Sequence, residues 1–391
     1  MVAPASLPTL FWIFFKIACT SFGGFMAMMA VVENEVVTRR KLLPHTDMLD
    51  GISLASILPG PVAVNLVVYV GYRLRGGVGA LVSALGAVLP SFAFIVILSV
   101  AYFQWGQVPA INKLFMGFIP AVTAIIVSTA WNMGRKAVTG WREAVLAVAS
   151  AATLLGIGGF YSTLAIILVA GLLGWWWFRE VEDVDVANGP ANPVPPSKRG
   201  MGASLMLLQS PVVAPFLSID PSLTLKLFLV FAGMSVMLFG GGYVFIPLIQ
   251  KIVVDGHGWV TNQEFVDAIA MSQITPGPIL VSAAFIGLKV AGFAGAVAAT
   301  IGIYLPPALL MVGSTRVLGY IKQSQAIRAA LRGIRPAVVG MIAAAAFTVG
   351  ATAPQHWVSI LIFVVALIAL VRRVQIVWVI PVAGLTGLVL F

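Results

Sequence analysis

The sequence contains very few charged residues. Asp, Glu, Lys and Arg make up 9% of its 391 positions, whereas 60% of the residues are hydrophobic. Soluble domains carry about 25% charged residues, so a water-soluble fold of this length is excluded. The apolar residues form long runs, such as 79–102 and 374–391, and about 20 such residues suffice for a helix to cross a bilayer. The chain is therefore predicted to be an all-α polytopic membrane protein.

Residues that perform chemistry are equally scarce. The chain has one cysteine, and its three histidines are far apart and match no metal-ligand spacing, so we predict no internal disulfide, metal or cofactor. No His, Asp or Glu falls in the middle of a span near Ser or Cys, which argues against an intramembrane enzyme. The absence of a Gly-x-x-x-x-Gly-Lys-Ser/Thr motif excludes a self-contained ATP-driven pump. The net charge of +10 includes no basic run interleaved with aromatics, so nucleic acid is not predicted as a partner.

The chain consists of two homologous halves. Phe22-Gly23-Gly24 recurs 217 positions later as Phe239-Gly240-Gly241, and Pro59-Gly60-Pro61 recurs at the same offset as Pro276-Gly277-Pro278. At an offset of 216, further matches pair Gly71 with Gly287, Gly76 with Gly292, Leu89-Pro90 with Leu305-Pro306, and Gly117 with Gly333. The predicted repeats are 8–178 and 223–391, and the polar, Pro-rich segment 179–222 between them is predicted to be an exposed linker.

Each half is predicted to contain five membrane spans and one broken segment. The spans are 8–32, 78–104, 117–134, 142–158 and 160–178, then 224–250, 293–315, 335–352, 356–371 and 374–391. The broken segments, 46–74 and 262–290, contain the Pro-Gly-Pro triplets. Proline lacks a donor and clashes with the preceding turn, so no continuous helix passes these points.

The distribution of Lys and Arg decides how the broken segments are placed. If both cross the membrane fully, the basic residues divide almost evenly between its two sides. If both enter and return as re-entrant helical hairpins, the termini and only Lys113, Lys251 and Lys289 among the loop cations lie outside, which the positive-inside rule favours. The linker is then cytoplasmic. Five crossings per half make the repeats inverted in topology, the architecture of secondary transporters, whose sites lie near the midplane.

The Pro-Gly-Pro triplets are predicted to form an anion site. A helix N-terminus offers unpaired N–H groups and a partial positive charge, here at the short helices that follow Pro61 and Pro278. Gly60 and Gly277 allow the backbone to approach a ligand closely, so leucine at either position is expected to block an anion while the protein still folds. The nearby Asn65, Gln273 and Thr275 have side chains that either donate to an oxyanion or satisfy the broken backbone, and both interpretations stay open.

Three further sets of equivalent residues are candidates for function. Gly23 and Gly24, with Gly240 and Gly241, are placed inside the first span of each half, where close helix packing and a role beside the substrate remain alternatives. Arg73 and Lys289 are equivalent and are predicted to form an electropositive funnel for an anion. Asp50 and Asp267 are also equivalent, near the hairpin entrances, where they either cap helices, the favoured interpretation, or carry coupling protons.

These motifs resemble those of the chromate ion transporters of prokaryotes, in the long two-domain form. In the first half the resemblance rests on Phe22-Gly23-Gly24, Val36-Val37, Arg39-Arg40, Leu58-Pro59-Gly60-Pro61 and Gly71-Tyr72-Arg73-Leu74. In the second half it rests on Phe239-Gly240-Gly241-Gly242-Tyr243, Gly258-Trp259, Glu264-Phe265, Gln273 and Thr275-Pro276-Gly277-Pro278. The family usually has Gln shortly before the first Pro-Gly-Pro, where this chain has Ser56, and that departure affects the first-half ligand set.

The resemblance implies an exporter of chromate in the cytoplasmic membrane that confers chromate resistance and uses the proton-motive force. Sulfate, similar in shape and charge, is the alternative substrate, and a homodimer is a candidate assembly. An anion channel is less favoured, because channels typically use rings of like groups around an axis, whereas an inverted pair suits alternating access.

Overall fold

The computed structural model describes residues 5–21, 24–105, 108–157, 159–178, 220–238, 245–317, 324–372 and 374–391, and within these ranges the fold is helical with no β-strand. The first half contains α1 (Leu7–Thr20), α2 (Gly24–Glu33), α3 (His45–Ile57), α4 (Val62–Trp105), α5 (Pro109–Ala137), α6 (Trp141–Gly156) and α7 (Gly159–Phe178). The second contains α8 (Pro221–Ser235), α9 (Phe245–Ile249), α10 (Asn262–Ile274), α11 (Ser282–Arg316), α12 (Gln325–Gly350), α13 (Trp357–Val371) and α14 (Ile376–Leu390). The π-helical turns Asn34–Arg39 and Gln250–Gly256 extend α2 and α9.

Several helices are long and apolar enough to cross a membrane. The described residues contain five of them: Val62–Trp105, Asn112–Ala137, Tyr161–Phe178, Ser282–Arg316 and Gln325–Gly350. Four shorter apolar helices, α1, α8, α13 and α14, have 14 or 15 residues each. Large hydrophobic side chains such as Trp131, Val148 and Leu172 are exposed, as expected where a surface faces lipid. The predicted multi-pass helical membrane protein is confirmed.

The first predicted span of each half is not one continuous helix. α1 ends at Thr20, and Ser21 leaves helical geometry with φ −87° and ψ 86°. α8 likewise ends at Ser235. Both breaks precede the repeated Phe-Gly-Gly, and glycine costs about 1 kcal/mol in a helix interior relative to alanine. The prediction of unbroken spans 8–32 and 224–250 is therefore wrong. Gly24 begins α2, whereas Gly23, Gly240 and Gly241 lie outside the described residues.

The first Pro-Gly-Pro lies at the tip of a helical hairpin. Gly51 on α3 packs against the ring of Tyr69 on α4, and four residues further from Gly60 on each helix Asp47 forms an ion pair with Arg73. Both contacts join residues equally distant from Gly60, so the two helices lie side by side and the chain leaves at the end where it entered. In the second half Glu264 and Lys289 form the equivalent ion pair.

Each hairpin is followed by a second sharp turn inside α4 or α11. Gly76 and Gly292 have φ of 61° and 60°, the left-handed region that only glycine adopts without strain. Beyond the turn in α4 the chain folds back, so that Gly79 packs on the carbonyl of Gly71. Gly295 packs on Gly287 in the same way. The limbs beyond these turns correspond to the predicted spans 78–104 and 293–315.

The second limb of α4 shows that the two hairpins open towards opposite sides. This limb starts beside the base of its own hairpin, and Ser91 Oγ then donates to the Pro276 carbonyl at the tip of the second hairpin, at 2.7 Å. Near its end Tyr102 Oη donates to Asp267 Oδ2, at 2.7 Å, towards the base of the second hairpin. The end of α11 returns to the base of the first hairpin, where Arg316 Nε donates to Tyr72 Oη. The predicted inverted repeats are confirmed.

The two halves also exchange helices. α5 packs against α13 and α14 of the second half, whereas α12, the counterpart of α5, packs against α6 and α7 of the first. At one crossing, an added Cβ on Gly333 would lie 2.6 Å from the α-carbon of Gly174, and at the other Gly387 meets Gly117 in the same way. Small residues are required where helix backbones approach so closely. One hydrophobic core consequently contains side chains of both halves.

This packing predicts opposite effects for two glycine substitutions in helix interiors. Gly333→Ala places a Cβ against the Ala170 carbonyl and the Gly174 backbone, whereas a Cβ at Gly313 meets nothing within 4 Å. We expect Gly333→Ala to lower the thermal unfolding temperature in detergent by several degrees. Gly313→Ala should leave it unchanged or raise it, because alanine favours helix by about 1 kcal/mol. Equal unfolding temperatures for the two variants would contradict the helix exchange.

Candidate functional site

The hairpin tips are held by the broken ends of the first helices. The N–H of Gly60 donates to the carbonyl of Leu238, just beyond α8, and the N–H of Gly277 donates to the carbonyl of Ser21, just beyond α1, at 3.1 Å. Ser21 and Leu238 are equivalent positions of the two repeats, so the two bonds are related by pseudo-twofold symmetry. Each tip is thus fixed by the opposite half, and the chain breaks meet in two pairs, each of one hairpin tip and one broken helix end.

Gly60 and Gly277 are required for packing, independently of any anion. Their φ angles are +111° and +108°, which strains any L side chain. A Cβ on Gly60 would lie 2.7 Å from Pro307 Cγ, and a Cβ on Gly277 would meet Ser91 Oγ. The expectation that leucine at either position leaves the fold intact is therefore wrong, because the side chain would separate the two halves.

At the first tip the polar side chains serve the backbone. Asn65 is 1% exposed, and its Nδ2 donates to the Pro59 carbonyl at 3.0 Å. Its Oδ1 has no hydrogen-bond partner among the described residues. Ser56 is exposed and donates to Ile52. For Asn65 the amide donor thus satisfies the broken backbone, and the first tip presents a buried acceptor.

At the second tip several buried donors have no partner. Thr275 Oγ1 donates to the Ser272 carbonyl at 2.9 Å, so that hydroxyl satisfies the backbone. The amide Nε2 of Gln273, by contrast, has no hydrogen-bond partner among the described residues, and the same holds for Ser282 Oγ and Ser21 Oγ. A buried donor without a partner costs about 1–3 kcal/mol. Three such donors near one hairpin tip indicate a polar site there.

These donors come from three segments that converge on the second tip. Gln273 lies in the last turn of α10, four residues before Gly277, and Ser282 begins α11, five residues after it. Ser21 lies just beyond α1, and its carbonyl already binds Gly277. Tyr304, whose buried Oη also has no described partner, lies one turn before Pro307 and is therefore near Gly60 at the first tip.

The helices that follow the two triplets begin differently. α4 starts directly after Pro61, and its first backbone bond runs from the Asn65 N–H to the Pro61 carbonyl at 2.9 Å. The preceding N–H groups of that first turn therefore have no acceptor within the helix. After Pro278 a 3₁₀ turn, Ile279–Val281, precedes α11. The sequence predicts an α-helical N-terminus directly after each triplet, and the structure has one only after Pro61.

Arg73 and Lys289 lie at the hairpin bases, and both are paired. Arg73 binds Asp47 and Lys289 binds Glu264, which also closes a capping box with Thr261. At 1.5 Å per helical residue each cation is about 20 Å from its tip. Each carboxylate reduces the net positive charge of the predicted funnel. Sequence reasoning missed both carboxylates, although Asp47 and Glu264 are themselves equivalent at the repeat offset.

Sequence reasoning also missed the residues through which the two halves touch. Ser91 and Pro307 are equivalent positions, and each follows directly on the repeated Leu-Pro. Their position directly after the repeated Leu-Pro is the sequence signal that could have identified them. Tyr102 and Tyr304 carry no such signal, because the equivalent positions hold unlike residues.

Comparison with known proteins identifies relatives over nearly the whole chain. The family described as Chromate transporter matches residues 8–175 and 225–388. The probable chromate transport protein of Synechococcus elongatus is 30% identical over 370 residues, 94% of this chain and 91% of that protein. The chromate transport protein of Pseudomonas aeruginosa is 29% identical over 401 residues, 99% of this chain and 93% of that protein.

A shorter relative corresponds to one half of the chain. The uncharacterized transporter YwrA of Bacillus subtilis is 29% identical over 166 residues, which are 42% of this chain and 92% of that protein. No solved structure matches the chain significantly. The family matches once in each repeat and spans both hairpins, and on these grounds the chain belongs to the chromate transporter family.

Proposed function

We propose that the protein is a secondary transporter that exports chromate across the cytoplasmic membrane, driven by the proton-motive force. The observation that carries the proposal is the set of unpartnered buried donors around the second hairpin tip: Ser21, Gln273 and Ser282. Chromate is a tetrahedral dianion with four acceptor oxygens. Several donors that converge from different helices suit such an anion, and the names of the relatives point to the same substrate.

The donors replace hydration that the anion loses. An unpaired charge in an apolar interior is very costly, and the two hairpin cations are about 20 Å from the tips. Amide and hydroxyl donors, with the helix N-terminus after Pro61, therefore supply the stabilisation. A site without a fixed counter-charge also releases its anion more readily, which a transporter requires.

The pseudo-symmetric contacts suit alternating access. In inverted-repeat transporters one bundle rocks against another around a central site. Here Gly60 meets the second half, while Pro276 and Gly277 meet the first. Arg73 and Lys289 lie at the two entrances, one on each side, where they meet the anion first.

Counterflow in proteoliposomes tests the substrate. The purified protein is reconstituted with trapped unlabelled sulfate, and entry of labelled sulfate is measured in competition with chromate, molybdate and phosphate, with protein-free liposomes as the control. We expect chromate to compete most strongly. Absence of counterflow, or competition by phosphate but not by chromate, would contradict the proposal.

Gln273→Ala is expected to weaken chromate binding by about 10- to 150-fold, because a hydrogen bond to a charged group contributes about 1.5–3 kcal/mol. The unfolding temperature should change little, since Nε2 donates to no described partner. Ser56→Ala, at the equivalent but exposed position, is the matched control and should bind normally. An affinity of Gln273→Ala equal to that of the wild type would remove this residue from the site.

The proposed orientation places both termini outside and the linker in the cytoplasm. In a Cys19→Ala background, Phe391→Cys should react with an impermeant thiol reagent applied to intact cells. Ser197→Cys should react only after the cells are opened. Equal labelling of the two positions from outside would contradict this orientation.

A further inference from the structure

A carboxyl group is buried where the second hairpin packs against the first half. Asp267 on α10 is 2% exposed. Its Oδ2 accepts a hydrogen bond from Tyr102 Oη on α4 at 2.7 Å, and its Oδ1 accepts one from Gln263 Nε2 at 3.0 Å. Both donors are neutral. No basic side chain among the described residues forms an ion pair with Asp267.

The surroundings of this carboxyl are largely apolar. The ring of Tyr102 contacts Phe115 of α5 at 5.1 Å and Phe285 of α11 at 5.4 Å between ring centroids. An ionised carboxylate in such a site has lost most of its hydration and has no counter-charge to replace it. Ionisable residues placed this way in membrane proteins are costly and mark functional positions.

Few other charged groups lie on the elements that pack around α10. Glu264, one turn before Asp267, is paired with Lys289 of α11. Lys113 is exposed near the start of α5. The π-helical turn before α10 contains Lys251 and Asp255, which pair with each other. The 3₁₀ turn Ile279–Val281 and α14 have no ionisable side chain, and α4 presents Tyr102. Nothing described there neutralises Asp267.

We propose that Asp267 binds and releases the proton that drives transport, an inference that rests on the proposed function. Asp267 lies five residues into α10, near the hairpin base that the charge distribution predicts to face the outside. Protons therefore reach it from the external medium and leave towards the cytoplasm as chromate moves out. The carboxyl links the second hairpin to α4 of the first half, so gain or loss of its proton alters a contact between the halves that must rock.

Protonation changes that contact in a definite way. The ionised carboxyl accepts hydrogen bonds from both Tyr102 and Gln263. The protonated carboxyl acquires a donor of its own and becomes a weaker acceptor, so the bond that joins the two halves weakens. Asp50, the equivalent residue of the first half, is only partly buried, and this difference makes Asp267 the proton site of the pair.

The test uses full-length protein in proteoliposomes and two assays of the same preparation: sulfate counterflow without a pH gradient, and accumulation of sulfate driven by a pH gradient. Asp267→Asn keeps an acceptor for Tyr102 but cannot titrate. We expect its counterflow to stay within threefold of the wild type, and its gradient-driven accumulation to be lost. Asp255→Asn, which removes an exposed carboxylate from the neighbouring turn, is the matched control and should retain both activities.

Accumulation by Asp267→Asn at the wild-type level would overturn the proposal. Should that variant fail to fold, Tyr102→Phe serves instead. Loss of one donor disfavours the ionised carboxyl, so the pH profile of gradient-driven transport should move to higher pH, and an unchanged profile would overturn the proposal.

Infrared titration of the wild type should show a carboxyl band that Asp267→Asn lacks, and absence of that band from the wild type would also overturn the proposal. A wild type inactive in both transport assays would refute the proposed function, while the infrared titration still tests the proton site.

Discussion

The structure depends on two backbone hydrogen bonds, from Gly60 to Leu238 and from Gly277 to Ser21. In a bilayer every backbone polar group must find a partner within the protein, and a helix broken by Pro-Gly-Pro leaves several of them unpaired. The triplet cannot repair itself, because its prolines have no N–H. The carbonyls that repair it come from the other half, where the first helix is broken as well. A hairpin tip and the broken first helix of the other half would each leave a backbone group unpaired, and these two groups therefore bond to each other.

This reciprocity explains why the glycines lie where they do. The tips come so close to Ser91 and Pro307 that Gly60 and Gly277 have no room for a side chain, and the exchanged helices α5 and α12 meet their partners backbone to backbone. A single half would expose both its tip and the helix faces that cover the other half.

Much of this architecture was predictable, because a repeat offset and a proline triplet are local signals. The hairpins and their inversion followed from the Pro-Gly-Pro positions and the placement of Lys and Arg, and the anion site was predicted at these triplets. The break after Ser21 was missed, since an apolar run containing two glycines has the composition of an ordinary span. The Asp47–Arg73 and Glu264–Lys289 pairs, the helix exchange and the Tyr102–Asp267 bond join residues distant in sequence. No periodicity reports such contacts: the two ion pairs form when each hairpin closes, and the helix exchange and the Tyr102–Asp267 bond form when the two halves pack.

The backbone is nearly symmetric, but the polar chemistry is not. At the first tip the Asn65 amide donates a hydrogen bond to the Pro59 carbonyl, and the Ser56 hydroxyl donates one to the Ile52 carbonyl of its own helix. At the second tip Ser21, Gln273 and Ser282 keep buried donors without described partners, and Asp267 is buried where Asp50 is only partly buried. Such a division suits a transporter with one substrate and one direction of driving force. The symmetric backbone supplies two equivalent halves. If the second tip binds the anion and Asp267 the proton, the two act on different parts of the same hairpin. The first half is the surface against which that hairpin is held, because Ser91 donates to the Pro276 carbonyl and the Ser21 carbonyl accepts from Gly277.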